Sequence, residues 1–293
     1  MFPFQGLRII FISVTILRLS SKTLQDGLSS MNNHFRQIKL EVRDHVALLT
    51  LNVPDNQNAY SPQMSEDLLD AWNECEDPQI HSIIMTGAGS AFCGGFDVKA
   101  LKDSEEEAVK KMSRMTVYLH SVISTMRRIP KPIIAAVNGP ADGAGFSLAL
   151  AADFILASDQ ASFAMSYIQL GITPNGGSSY FLTRLVGPAR AAELIMTGKT
   201  ISARKAFEWG IVSGVVAHDN LSTESRALAQ YFAQGPGIAF GRSKRLIEQA
   251  NTKSLEDQLE EERHSMMTTV KSDDFKEGLQ SFIDKKKAKF KEK

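Results

Sequence analysis

The chain has no excess charge of either sign: 33 Lys and Arg stand against 33 Asp and Glu in 293 residues. Without a global field to draw it to a polyanion or an anionic bilayer, it is read as binding neither nucleic acid nor membrane. The one local exception, Lys285 to Lys293 with Phe282 and Phe290 set close by, is read as a solvated helix end whose cations complement the dipole. Cysteine is scarce. Cys75 and Cys93 are the only two, so there is no disulfide framework and no metal-like cluster, which fits a reducing compartment. No apolar run approaches the roughly 20 residues a membrane-spanning helix needs. A GxGxxG fingerprint is missing, which argues against a dinucleotide fold. Gly198-Lys199-Thr200 has Glu193 where a P-loop needs its first glycine, and it follows a helical pattern, so it is read as a helix-ending turn. Internal repeats and long low-complexity linkers are also lacking.

What remains is an ordinary globular composition, 43% hydrophobic and 23% charged, with enough chain for a sizeable core and near-neutral charge that favours self-association. The first thirty residues differ. Arg8, Arg18 and Lys22 surround the apolar run Ile9 to Leu17, and no acid precedes Asp26. Three readings stay open: a mitochondrial transit peptide, a weak signal peptide, or an upstream extension from a misassigned start. Residues 1–30 are therefore set apart from a core over 31–225 and a helical region over 226–293. The expected location is cytoplasmic, with the mitochondrion as the alternative if 1–30 is a transit peptide.

From Phe35 onward, β-like runs alternate with amphipathic ones. Phe35 to Val42, Val46 to Leu51, Ser82 to Thr86, Pro132 to Val137 and Phe154 to Ala157 read as strands. Gln63 to Trp72 carries Met64, Leu68 and Trp72 at helical spacing. Val109 to Met126 carries Met112, Met115, Leu119, Val122 and Met126 in the same way, which reads as core. The alternation implies an α/β fold with a mostly parallel sheet and ligands outside the carboxyl ends of its strands. After Pro188 the pattern is mostly helical, with a last strand near Ile211 to Val216.

Two glycine-rich turns each follow a predicted strand and open a helix: Gly87 to Asp97, and Asn138 to Gly145. Small residues there let the backbone approach a ligand, and the N–H groups of a helix start stabilise an anion. Two such turns facing each other would form an oxyanion hole.

The motifs Ala91-Phe92-Cys93-Gly94-Gly95-Phe96-Asp97, Ala135-Ala136-Val137-Asn138-Gly139 with Gly143-Ala144-Gly145, Gly171-Ile172-Thr173-Pro174-Asn175-Gly176-Gly177 and Arg184-Leu185-Val186-Gly187 resemble the enoyl-coenzyme A hydratase/isomerase (crotonase) superfamily. Ala206 to Val212 adds a further segment, and the resemblance runs from Phe35 to the C-terminus. It implies a crotonase-like spiral of β-β-α units with a helical C-terminal trimerisation region, and a homotrimer or dimer of trimers. It also implies an acyl-coenzyme A substrate, held by its thioester oxygen between the N–H groups of Phe96 and Ala144. Coenzyme A enters as part of the substrate, and no other cofactor and no metal is implied. Gln57, Asn58 and Ala59 match a loop that contacts the nucleotide end. Gly95, Asp97, Gly143 and Ser147 belong to the same substrate-binding turns.

An oxyanion hole moves no proton, so a general base or acid is also required. The two glutamate positions of the family's hydratases match Ser147 and Tyr167, and the acid position of its isomerases matches Asn175. None is a carboxylate, which argues against ordinary hydration. The stretch around Pro174-Asn175, continuing to Tyr180, looks most like the isomerases. Three residues are therefore candidates for the proton: Asn175, Asp142 and Tyr167. Asp142 and Asp97 have a plainer reading as caps of the helices that follow, and Tyr167 as an aromatic wall. The histidines, His120 among them, fall outside the glycine turns and are read as surface or structural. The expected function is an enoyl-coenzyme A isomerase-like enzyme of fatty-acid or other acyl catabolism. The alternative is a catalytically degenerate acyl-coenzyme A binding or scaffold protein of the same fold.

Overall fold

Asp44 and His45 take φ of +51° and +63°, the left-handed pair that a type I′ turn requires. They close a hairpin in which β1 (Ile38–Arg43) pairs antiparallel with β2 (Val46–Leu51). The structure, a computed structural model, describes residues 35–102 and 104–291. Residues 1–30, with their targeting alternatives, lie outside the described residues.

The chain continues through α1 (Pro62–Glu74), β3 (Ser82–Gly87), α2 (Glu105–Arg128), β4 (Ile133–Val137), β5 (Ala141–Asp142), α3 (Ala144–Leu150), β6 (Phe154–Ser158) and β7 (Ser162–Ala164). Then come α4 (Ser178–Thr197), β8 (Ile201–Ser202), α5 (Ala203–Glu208), β9 (Gly214–Val216), α6 (Leu221–Ala233), α7 (Gly237–Ala250), α8 (Leu255–Thr269) and α9 (Asp273–Ile283).

Local signals explain the boundaries. Ser61 caps α1 by accepting from the Met64 N–H at 3.0 Å, with Pro62 in the first turn, where its missing N–H costs nothing. In α2, three glutamates open the helix and Arg127 and Arg128 close it, each end complementing the macrodipole. The helical faces read from the sequence are the buried ones: Met64, Leu68 and Trp72 in α1, and Met115, Leu119, Val122 and Met126 in α2.

β1, β2, β3, β4, β6 and β9 form one sheet in that order, parallel from β2 onward. Ala47, Leu49, Ile83, Met85, Ile133 and Ala135 pack into the larger core beneath α1, α2 and α3, while Val46, Ile84, Ile134 and Ala136 pack under Leu221, Ala229 and Phe232 of α6. Cover on both faces explains why these strands read as unbroken apolar runs. Lys244 of α7 ties the C-terminal helices to this core, donating to the Met126 carbonyl at 2.8 Å and pairing with Asp153 at 2.8 Å.

The α/β architecture with a helical C-terminal part agrees with expectation. A second sheet of β5, β7 and β8 was not foreseen, because strands of two or three residues carry no periodicity. The lysine-rich end is corrected: α9 stops at Ile283, and the chain folds back along it. There the Lys289 N–H donates to Glu277 at 2.9 Å and the Lys291 N–H to Asp274 at 2.7 Å. Backbone donors, rather than lysine charges at a helix end, anchor this segment.

Candidate functional site

Both glycine turns leave carboxyl ends of neighbouring parallel strands, β3 and β4, so the fold sets them side by side. Two buried amides fasten the first turn. Asn58 donates to the carbonyls of Ala88 and Ala91 at 2.9 and 2.8 Å, and Asn138 donates to Gly89 at 3.0 Å. Cys93 then links the turns: its N–H donates to Pro140 at 3.1 Å, and its carbonyl accepts from Asp142 at 2.9 Å. Gly145 makes that approach possible, because a β-carbon there would lie 2.3 Å from the Cys93 carbonyl oxygen.

Phe96 sits in an isolated parallel bridge with Tyr60. Tyr60 donates to the Gly95 carbonyl at 2.7 Å and accepts from the Asp97 N–H at 3.0 Å. In a parallel bridge the residue between those two points its own N–H to the other side. Across the gap, Gly143 takes φ +46°, ψ −112°, open only to glycine, and turns the chain into α3. Ala144 is the first residue of that helix, where an N–H has no intrahelical acceptor. Among the described residues neither the Phe96 nor the Ala144 N–H donates to a protein acceptor. Two main-chain donors of this kind, on turns stitched together through Cys93, suit an oxygen that gains negative charge.

The other expected residues fall around these donors. Tyr167 packs its ring against that of Phe96 at 5.7 Å between centroids and covers Gly143. It is 3% exposed, and its hydroxyl has no hydrogen-bond partner among the described residues. Burial raises its pKa above the ordinary phenol value, opposed by the nearby Ser147 hydroxyl. The phenol is therefore a donor and not a base near neutral pH. Ser147 is fully buried, and its hydroxyl reaches the carbonyls of Gly143 and Asn175 at 3.0 and 2.9 Å.

Asp142 does not cap α3, the plainer role expected for it: both carboxylate oxygens are engaged by Ser166, one by its N–H at 3.0 Å and one by its hydroxyl at 2.5 Å. That clamp fixes the segment carrying Tyr167. Asp97 does cap the short helical turn after it, accepting from Lys99 at 3.1 Å. Gln57 lies against Gly94, which donates to its carbonyl at 2.9 Å, and Ala59 is buried behind it. Burial pushes the Cys93 thiol up to about 12, so no thiolate is available beside the donors.

One residue was missed. His120, expected to lie apart from the turns, places Nε2 2.6 Å from Asn175 Oδ1, and Asn175 Nδ2 donates to Thr116 at 3.1 Å. The signal was a polar pair four residues apart on α2, Thr116 and His120, next to the apolar positions Met115 and Leu119. Nothing in the sequence aimed that pair at Asn175.

Sheet order, the two stitched turns and the helical C-terminal part together define the crotonase class of α/β proteins. The sequence profile of the enoyl-CoA hydratase/isomerase family matches residues 41–293. Among curated relatives, the 1,2-epoxyphenylacetyl-CoA isomerase of Escherichia coli K12 is 34% identical over 251 residues, 85% of this chain and 96% of that protein. A 4-chlorobenzoyl coenzyme A dehalogenase of Arthrobacter is 32% identical, covering 88% of this chain and 94% of its own. A solved enoyl-CoA hydratase from Polaromonas sp. JS666 superposes with a TM-score of 0.83 at 35% identity, over 87% of this chain and 99% of that one. The chain belongs to the enoyl-CoA hydratase/isomerase family, and thus to a family of enzymes.

Proposed function

We propose that the protein is an acyl-coenzyme A isomerase-type enzyme that shifts a double bond by way of an enolate, whose oxygen is held by the N–H groups of Phe96 and Ala144. The observation that carries this reading is the pair of amides without an acceptor among the described residues, fixed by the Tyr60 bridge and the α3 start. Preorganised donors of this kind need no rearrangement as charge develops, and removing one from such a site typically costs 10²–10³ in rate. The acyl group would lie against Phe96, Tyr167 and the Gly143 turn, with the nucleotide end towards Gln57 and Gly94. Asn58 contributes by holding the turn and not by touching substrate.

Hydration fits this site poorly. It needs groups that position and split water, while Ser147 spends its proton on main-chain carbonyls and the Tyr167 phenol holds its own. A thioester-binding protein without turnover gains no support from any feature of the site. The exposed apolar residues of α8 and α9, among them Leu259, Met266, Phe282 and Ile283, favour assembly into a trimer, which sedimentation velocity would test: a monomer at micromolar concentration would refute it.

The experiment for the reaction is double-bond migration and hydration of a panel of 2-enoyl- and 3-enoyl-coenzyme A thioesters, with binding measured in parallel. Isomerisation of 3-enoyl substrates without hydration is the expected result. Hydration alone, or no binding of any thioester, would overturn it.

A further inference from the structure

Resting on that reading, we propose that His120 moves the proton and that Asn175 holds its imidazole in a single tautomer. The hydrogen-bond directions follow from one fixed point. The Gly176 N–H can only donate, and it meets the Asn175 side chain at 2.7 Å, so the atom there is the oxygen Oδ1. The same oxygen faces His120 Nε2 at 2.6 Å, so in the neutral ring Nε2 bears the hydrogen and donates it. The lone pair is left on Nδ1, which has no partner among the described residues. Asn175 is locked in this orientation from its other end, where Nδ2 donates to Thr116 Oγ1 at 3.1 Å. Thr116 and His120 lie one turn apart on α2, so the amide spans that turn and grips both.

The dyad is linked through Ser147 to the turn that opens α3. The main-chain carbonyl of Asn175 and that of Gly143, the residue before Ala144, are the two acceptors of the buried Ser147 hydroxyl, at 2.9 and 3.0 Å. A base oriented by a third group beside an oxyanion site is the arrangement that proton abstraction needs. The neutral amide orients the ring without adding a second carboxylate to the site.

In the forward reaction the Cα–H bond of a 3-enoyl thioester breaks, and its proton goes to His120 Nδ1. The electron pair forms the enolate held by Phe96 and Ala144. The Nδ1–H bond then breaks, and its proton forms the new bond at Cγ while the double bond comes to rest between Cα and Cβ. No other reactant enters. His120 is thus a catalytic residue, and Asn175 is a positioning one.

The test uses the full chain with 3-hexenoyl-coenzyme A as probe and reads isomerisation together with exchange of the α-protons in D2O. His120→Gln, which keeps a donor to Asn175 but has no base, is expected to lower kcat about 10²- to 10⁴-fold with KM nearly unchanged. Added imidazole is expected to restore turnover to His120→Ala, which a packing role would not allow. Asn175→Asp keeps an acceptor and is expected to retain activity. Asn175→Leu is expected to lose activity, and with it the single-tautomer 15N signature of His120. A wild-type rate in His120→Gln overturns the role of His120 while leaving the isomerase reading intact. A wild-type chain that neither isomerises nor exchanges the probe overturns both.

Discussion

A methyl group at position 145 probes how closely the two turns must approach. In Gly145→Ala the new β-carbon would lie 2.3 Å from the Cys93 carbonyl oxygen and 2.6 Å from its β-carbon. A carbon rests no closer than roughly 3.3 Å to a carbonyl oxygen, so the start of α3 and the turn at Cys93 must part by about 1 Å. Neither partner is a flexible side-chain tip: one is backbone, and Cys93 is fully buried. Alanine's better helix propensity returns at most about 1 kcal/mol, against roughly 1–3 kcal/mol for overpacking a tight site. The clash therefore wins, and a modest net destabilisation is expected. Activity suffers more, because the parting separates the Phe96 and Ala144 amides. A misplacement of about 1 Å in such a constellation costs on the order of 10²-fold. Isomerisation of 3-hexenoyl-coenzyme A and urea denaturation would be measured on the same preparation. The control is Gly214→Ala, whose methyl would meet only the end of the Leu156 side chain, at 3.2 Å. A Gly145→Ala protein with wild-type midpoint and wild-type turnover would refute the argument that close apposition of the turns makes the site.

Tyr167→Phe removes a buried hydroxyl that has no hydrogen-bond partner among the described residues, so stability is expected to hold or to rise by about 1 kcal/mol, while thioester turnover falls if substrate supplies the missing partner. Thermal denaturation of the free protein and kinetics of the same variant separate the two effects, and a clear drop in stability would contradict the observed geometry. Stability should also fall at high pH. Burial lifts the Cys75 and Cys93 thiols from 9.0 to about 12, so the unfolded chain ionises first, and the contribution present below about pH 9 is lost as pH climbs towards 12. The loss is up to about 4 kcal/mol per thiol, and a denaturation midpoint flat from pH 8 to 11 would disprove it. Lys244→Ala leaves Asp153 with Arg127 as its remaining cation and empties a buried site beside Met126. A destabilisation of roughly 1–3 kcal/mol is expected from the lost charged donor, readable as a shift of the urea midpoint, and an unchanged midpoint would mean that α7 is not anchored there.

Much of the architecture was legible because it rests on local rules. The strand Val46–Leu51 and the helical faces through Met64, Leu68 and Trp72 or Met115 and Leu119 depend only on where apolar side chains recur along the chain. Glycines at 87 to 95 and 139 to 145 announce close backbone approach wherever they fold, so the turns that carry the amide donors could be placed in advance. The same rules fail for β5 and β8, whose pairing is imposed by neighbours, and for the chain after Ile283, which folds back because backbone donors at Lys289 and Lys291 find Glu277 and Asp274.

The sequence by itself determined which residues stand at the turns, that no carboxylate occupies position 147, 167 or 175, and that the sheet is mostly parallel. Tertiary structure alone decided what those residues meet. Asp142 is spent on Ser166, the Tyr167 hydroxyl is left without a hydrogen-bond partner among the described residues, and His120 comes to Asn175 across 55 residues of chain. The physical reason is range: propensity and periodicity act over a few residues, whereas a hydrogen bond between α2 and the turn before α4 exists only once the core has packed both into place.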